Sequence, residues 1–307
     1  MAAHGTHNAL DDPRNESVLI SINGELIPRP DAKISVFDSG FLVGDGVWEG
    51  MRVYGGKLAF ADEHFSRLEE AAKAISLDIG LTRNELATRI DEVLKANNMT
   101  DGVHVRLMVT RGNKKTPSQD PRLALWGPNI VIIAEHKSVD PTTYERGITL
   151  FTSTVRRGSP DYLDPRFNCH SKLHEVIALN QALAAGADEA LMLDLHGFVS
   201  TCNATNFFIV KNGDELWTST GKYCMNGITR GKVLEVARAH GMTTLEKDFS
   251  LYDTYSADEA FVTGTFGGLT PVTAIDGNPV GSGAPPRPVT DQLRNWYEDA
   301  VQASVSP

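Results

Sequence analysis

Arg166-Phe167-Asn168-Cys169-His170-Ser171-Lys172 opens an amphipathic stretch that reads as a helix to about residue 185. Extended sequence follows: Asp188-Glu189-Ala190-Leu191-Met192-Leu193-Asp194, a turn at His196-Gly197, then Phe198-Val199-Ser200-Thr201-Cys202-Asn203-Ala204-Thr205-Asn206-Phe207-Phe208-Ile209-Val210. A lysine therefore stands at a helix start, with a loop of small residues between strands downstream of it. By itself that combination is also what surface composition provides. The sequence on either side gives it meaning.

Upstream, residues 18–22, Asn23-Gly24 and residues 25–28 read as a tight hairpin, because Asn-Gly supplies the positive φ angles of a two-residue turn. Residues 33–37 read as a short strand running into Asp38-Ser39-Gly40-Phe41-Leu42-Val43-Gly44-Asp45-Gly46-Val47-Trp48-Glu49-Gly50. Residues 51–54, Gly55-Gly56 and residues 57–60 make a second hairpin. Asp62 reads as the cap of a helix with Phe65, Leu68, Ala71, Ala72 and Ile75 as its apolar and small positions, and with His64 and Arg67 in its first turns. A further helix is expected over 83–96. Residues 103–110 alternate like a half-buried strand: with Val105, Leu107 and Val109 inward, His104, Arg106 and Met108 face the other way. Residues 111–125, holding Lys114, Lys115 and two prolines, read as a mobile surface loop, and 129–135 as a strand.

The domain division expected from this pass is a disordered tail over 1–17, a smaller N-terminal domain over 18–135, a linker over 136–147 around Asp140-Pro141, and a larger domain over 148–307. The 307 residues are 41% hydrophobic and 22% charged, which is ample material for cores. The net charge of −10 argues against nucleic acid or an anionic membrane as the main partner. Three cysteines (Cys169, Cys202, Cys224) without CxxC or metal spacing suit a reducing compartment. The first seventeen residues lack the apolar run of a signal peptide, and no stretch of about 20 apolar residues is present. A cytoplasmic protein is the expectation.

Further downstream, Cys224-Met225-Asn226-Gly227-Ile228-Thr229-Arg230-Gly231 leads into a helix to about residue 240, and free N–H groups at such a start attract anions. Phe261-Val262-Thr263-Gly264-Thr265-Phe266-Gly267-Gly268-Leu269-Thr270-Pro271-Val272 reads as a strand ending in a glycine-rich turn. No repeat of 20–50 residues is present.

Taken with their order and spacing, Gly44-Asp45-Gly46-Val47-Trp48-Glu49, Glu63-His64-Phe65-Ser66-Arg67-Leu68, Gly227-Ile228-Thr229-Arg230 and Phe261 to Val272 resemble the class IV, fold type IV aminotransferases, including branched-chain and D-amino-acid aminotransferases. The resemblance covers nearly the whole chain. It implies an α+β architecture of two domains with pyridoxal 5′-phosphate (PLP) at their interface, a homodimer, and an amino donor and a 2-oxo acid acceptor as substrates. Residue by residue, it implies that Lys172 is the lysine that attaches the cofactor and shuttles a proton. Arg67, Ile228, Thr229 and Thr265 correspond to its phosphate ligands. Arg106 corresponds to an arginine near the substrate carboxylate, and Trp48, Arg52, Phe266 and Gly267 to substrate-contacting positions.

The chain departs from the family at Thr201, which stands where a glutamate normally faces the pyridine nitrogen. A carboxylate keeps that nitrogen protonated, whereas a hydroxyl only hydrogen-bonds, so a weaker electron sink is expected. Asn113-Lys114-Lys115-Thr116-Pro117-Ser118 lacks the arginine and histidine that D-amino-acid enzymes use for the substrate carboxylate, and Ile177 replaces a tyrosine of the branched-chain enzymes. Transamination is the leading expectation. A lyase related to aminodeoxychorismate lyase, a racemase, or a PLP-binding protein with impaired catalysis remain open alternatives.

Overall fold

Asn23 and Gly24 adopt φ angles of 54° and 91°, the two positive values that a two-residue hairpin turn requires. They join β1 (Leu19–Ile22) to β2 (Glu25–Pro28), with Ile22 opposite Glu25 as expected. The computed structural model describes residues 5–7 and 9–306, and its backbone contacts divide into two units.

The first unit comprises Leu10–Ser138 and Phe167–Lys172, with residues 304–306. After the hairpin come α1 (Ser39–Val43), β3 (Gly46–Tyr54), β4 (Lys57–Leu58), α2 (Ala61–Ala74), α3 (Arg83–Ala96), β5 (Val103–Thr110) and β6 (Asn129–His136). The strands form one antiparallel sheet in the order β2-β1-β6-β5-β3-β4. Val103, Val105, Leu107 and Val109 are fully buried on one face with Val47, Met51 and Val53, and pack with Phe65 and Leu68 of α2 and Leu86 and Ile90 of α3. The alternation of β5 is thus obeyed, leaving Arg106 and its row on the other face. A complete capping box at Thr82 and Glu85 starts α3 where the sequence places it.

Three local expectations are corrected. Residues 33–37 are irregular, not a strand: Ile34, Val36 and Phe37 stay exposed, and Asp38 accepts from the N–H groups of Gly40 and Phe41 to start α1 instead. Asp62 sits inside the first turn of α2, whose cap is Phe60 in the left-handed region. Lys114 belongs to no loose loop: it is 1% exposed, and its Nζ donates to the Asp120 carbonyl at 3.1 Å.

The second unit comprises residues 5–7 and 9, Val139–Arg166 and Leu173–Ala303. Its elements are α4 (Pro141–Arg146), β7 (Ile148–Thr152), α5 (Pro160–Leu163), α6 (Leu173–Ala184), β8 (Glu189–Leu193), β9 (Val199–Cys202), β10 (Asn206–Lys211), β11 (Glu215–Thr218), α7 (Ile228–Ala239), β12 (Thr244–Glu246), α8 (Leu251–Tyr255), β13 (Glu259–Gly264), β14 (Gly268–Ile275), β15 (Asn278–Pro279) and α9 (Pro288–Val305). The stretch expected as a linker therefore contains α4, capped by Asp140. A nine-stranded sheet runs β12-β11-β10-β13-β14-β7-β8-β9, with β15 on β14, and is parallel at β14-β7-β8 and β11-β12. The near-continuous apolar run of β10 is buried on both faces, as such runs are when both sides of a sheet are covered.

Within the expected tail, residues 1–4 and 8 lie outside the described residues. Pro13–Ser17 forms a 3-10 helix capped by Asp12. Thr6 is buried, and its N–H and hydroxyl both donate to the Glu189 carboxylate, which also accepts from Thr205 Oγ1 at 2.9 Å. Among the described residues, no helix is long and apolar enough to cross a membrane, and all three cysteines are free and buried.

Leu107 lies mid-strand in β5 and has no exposed surface. Leu107→Ala should cost about 2–5 kcal/mol of stability, read from the denaturant midpoint of the chain.

Candidate active site

The sequence-predicted site residues fall into two sets, one in each unit. In the first unit, β3 and β5 pair with Trp48 opposite Met108 and Gly50 opposite Arg106. The Arg106 guanidinium lies 3.7 Å from the Trp48 ring centroid, a cation–π contact. Burial lowers the pKa of Arg106, while the charges of Glu135 and Glu49 raise it; an arginine remains charged under these conditions. Arg52, one strand step along, donates from Nη1 to the Lys137 carbonyl at 2.7 Å. Burial also lowers the pKa of Lys137, and the charges of Arg106 and Arg52 push the same way against Glu135. The non-core face of this sheet is therefore rich in positive charge within an acidic chain.

Arg67, one of the expected phosphate ligands, is gripped from within its own unit. Its Nε and Nη2 each donate at 2.7 Å to the two oxygens of Glu49, which is 1% exposed and also bonded to His64 Nδ1 at 2.7 Å. Burial alone would raise the pKa of Glu49, but the hydrogen bonds from Arg67 and His64 and their charges hold it below the usual carboxylate value. Sequence reading did not assign Glu49 this role. Its signal was the spacing of Glu49 on a strand against His64 and Arg67 three apart on a helix.

Phe167–Lys172 is held against the free edge of β3. Val47 and Cys169 form an antiparallel bridge, Trp48 N–H donates to the Asn168 carbonyl at 2.9 Å, and His170 N–H donates to the Gly46 carbonyl at 3.1 Å. The Trp48 indole N–H adds a bond to the Cys169 carbonyl at 3.0 Å. Lys172 follows directly, half-buried, with its backbone N–H on the His170 carbonyl and α6 beginning at the next residue.

In the second unit, Gly227 caps α7 and, having no side chain, makes no side-chain cap bond to the first-turn N–H groups at Ile228 and Thr229. A helix start left open in this way binds anions. A Cβ added at Gly227 would fall 2.2 Å from Asn206 Oδ1, so only glycine permits this approach. Asn206 Nδ2 donates to the Met225 carbonyl at 2.9 Å and to Thr201 Oγ1 at 3.3 Å, tying β9 to the start of α7. Thr201 is 4% exposed, and its own hydroxyl donates to the Thr205 carbonyl at 2.8 Å. Its single proton is thus already engaged. Thr265, Phe266 and Gly267 make the turn between β13 and β14, where Gly264 pairs with Gly268. Asn206 was not singled out from sequence, since an asparagine carries no reactive group and acts here through what it touches, whereas Gly227 was read as part of the helix start. Among the described residues, no cluster of three or more His, Cys, Asp or Glu could hold a metal ion.

Residues 46–275 match the family "Amino-transferase class IV". The chain is 40% identical over 301 residues to "Branched-chain-amino-acid aminotransferase-like protein 2" of Arabidopsis thaliana, an alignment covering 97% of this chain and 53% of that protein. The chain thus spans about half the length of that curated relative. It is 39% identical to "Putative branched-chain-amino-acid aminotransferase" of Methanocaldococcus jannaschii, covering 91% of this chain and 95% of that protein. Among solved structures, the T.th. branched-chain amino acid aminotransferase complexed with N-(5'-phosphopyridoxyl)-L-glutamate superimposes with a TM-score of 0.85 at 29% identity, covering 94% of this chain and 95% of that one.

Glu49 has a lower pKa folded than unfolded, so its pairing stabilises the fold fully above its unfolded value and is lost as pH falls through the folded one. Stability should therefore drop below about pH 4. Glu49→Gln should lower the thermal midpoint at pH 7 and flatten that acid limb; a limb of unchanged steepness in the variant would assign it to other carboxylates.

Proposed function

The chain belongs to the class IV aminotransferases, a PLP-dependent family, and we propose that it moves an amino group from an amino acid or amine to a 2-oxo acid. The observation that carries this reading is the open start of α7 over Gly227, with Thr229 in its first turn. These residues fit a phosphate-bearing group: backbone N–H groups with no side-chain cap bond, a hydroxyl, and a glycine that cannot be replaced without a clash. Thr265 adds a second hydroxyl in the same unit. When bound, the cofactor supplies an aldehyde carbon for the amine and a conjugated ring that takes up electron density from the substrate α-carbon.

Lys172 provides the attaching amine and carries the proton to and from the α-carbon. Its place immediately after a segment bonded to β3 supports this, because the backbone on its N-terminal side is fixed. Arg67 contributes charge toward the phosphate, its fork oriented by Glu49. Arg106, resting on Trp48 and without an ion-pair partner among the described residues, takes the substrate carboxylate, with Arg52, Phe266 and Gly267 as further substrate contacts. Thr201 faces the pyridine nitrogen. With its proton on the Thr205 carbonyl, its hydroxyl can only accept, and a neutral acceptor stabilises a protonated ring less than a carboxylate does. The chain acts in the cytoplasm as a homodimer, the dimer being supported by the exposed Leu173, Val176 and Ile177 on α6.

Borohydride reduction of the PLP-loaded chain followed by peptide mass mapping should place the cofactor mass on Lys172, and Lys172→Ala should abolish that adduct and amino transfer. An adduct on another lysine, or none, overturns the assignment. Bleaching of the cofactor band by an amino donor alone supports transamination, whereas product release from a donor without bleaching supports lyase chemistry. Thr201→Glu should change the cofactor absorption and speed the donor half-reaction by about tenfold or more, equivalent to about 1.4 kcal/mol of barrier. Unchanged spectrum and rate would exclude Thr201 from the ring nitrogen.

A further inference from the structure

The bridge between Val47 and Cys169 fixes the faces of the segment that ends at Lys172. Val47 is fully buried in the sheet's core, so Cys169 shares the core side. Asn168 and His170, one residue to either side, then stand on the opposite face: Asn168 beside Trp48, and His170 beside Gly46. That is the face of Arg106, whose guanidinium lies on the Trp48 ring.

Three polar ends on this face lack a hydrogen-bonding partner among the described residues. Asn168 is 2% exposed, yet its Oδ1 is buried with no hydrogen bond. His170 Nε2 is likewise buried and unbonded, with the ring pressed on Gly40 and Gly46, where an added Cβ would come within 2.9 and 3.1 Å of it. Among the described residues Arg106 has its aromatic contact and more distant carboxylates, and no hydrogen bond or ion pair. An unsatisfied buried amide destabilises the free chain. Such a cost is recovered when a ligand supplies the missing partner. Burial lowers the pKa of His170, with the Arg106 charge acting the same way against Asp38, a backbone hydrogen bond at Val47 and Asp45, so the imidazole is neutral, and in the tautomer protonated on Nε2 that atom donates without adding charge.

We propose that Asn168 and His170 are substrate-recognition residues that act with Arg106, Asn168 binding the substituent on carbon 2 of the substrate and His170 an oxygen of its carboxylate. This rests on the 2-oxo and 2-amino acid chemistry proposed above. An asparagine amide suits both substrates of that chemistry. It offers Oδ1 to an amino group or, turned over, Nδ2–H to an oxo group, in the same place. A carboxylate or a lysine at position 168 would serve one of the two and repel the other.

The PLP-loaded full chain cannot convert a 2-oxo acid, so 4-methyl-2-oxovalerate and 4-methylvalerate can both be titrated at equilibrium by calorimetry. The two acids differ only at carbon 2. Asn168→Ala should weaken binding of the oxo acid by about tenfold and leave the simple acid within about twofold. His170→Leu should weaken both acids, and His170→Gln, which keeps an N–H near the Nε2 position, should restore them. Equal effects of Asn168→Ala on the two acids, no effect, or wild-type chain that binds neither or both alike would overturn the proposal. Asn168→Ser serves as the second variant if alanine does not fold, with an intermediate loss confined to the oxo acid expected. Cofactor retention is read separately from absorbance, so loss of PLP binding would count against the functional reading, and loss of carbon-2 discrimination against this one alone.

Discussion

The antiparallel bridge that holds residues 168–170 on β3 is the constraint from which the first unit's chemistry follows. It adds a seventh, very short partner to a six-stranded sheet, and it does so in a register that alternates Cys169 inward and Asn168 and His170 outward. Backbone bonds from Trp48 and to Gly46 fix that register without any contribution from side-chain chemistry. One residue of slip would turn Cys169 outward and drive two polar side chains into an apolar core. Lys172 inherits its position from that pairing, and the half-open face of the sheet inherits its polarity.

Charge is handled differently on the two faces of the first unit's sheet. At Glu49 a carboxylate inside the core is matched by Arg67 and His64. Burying such groups is costly unless geometry is good, and the paired 2.7 Å contacts of an arginine fork provide that geometry. At Arg106 the opposite holds: a cation is half-buried with an aromatic ring beneath it and, among the described residues, no carboxylate in an ion pair with it. A closed pair organises structure, while an open cation is left to recruit an anion. The second unit relies on neither. There the groups proposed for an anion are backbone N–H donors and hydroxyls, which bring little net charge and depend on close approach, as Asn206 against Gly227 illustrates.

What the sequence made legible was whatever is written in periodicity or in turn chemistry. The Asn23-Gly24 hairpin, the inward valines and leucine of β5, the strands flanking Thr201 and the helix after Gly227 all follow from patterns within a few residues. The errors arose where a local pattern was outweighed by something remote. Residues 33–37 have strand-like composition, but their pairing is confined to the Phe37 carbonyl, which accepts from Lys114 N–H at 2.9 Å. Lys114 looks like a surface lysine until the Asp120 carbonyl is found beside its amine. The helix beginning at Ala61 takes an aromatic cap in the left-handed region over the adjacent acid. Candidate reactive residues were readable because lysine, arginine and threonine announce themselves. Their supports, Glu49 and Asn206 among them, were not, since a support is defined by what it touches.

The first unit is interrupted in sequence, with Phe167–Lys172 returning to it long after Ser138. During synthesis, the edge of β3 around Gly46 to Trp48 therefore stays bare while the whole stretch after Ser138 is being made. Unpaired strand edges are where chains mis-associate. The residues nearest that gap are glycines and an aspartate, Gly44, Asp45 and Gly46, which are poor strand formers. A sequence that resists pairing with strangers can still accept its own late-arriving partner, because the tether makes that encounter intramolecular.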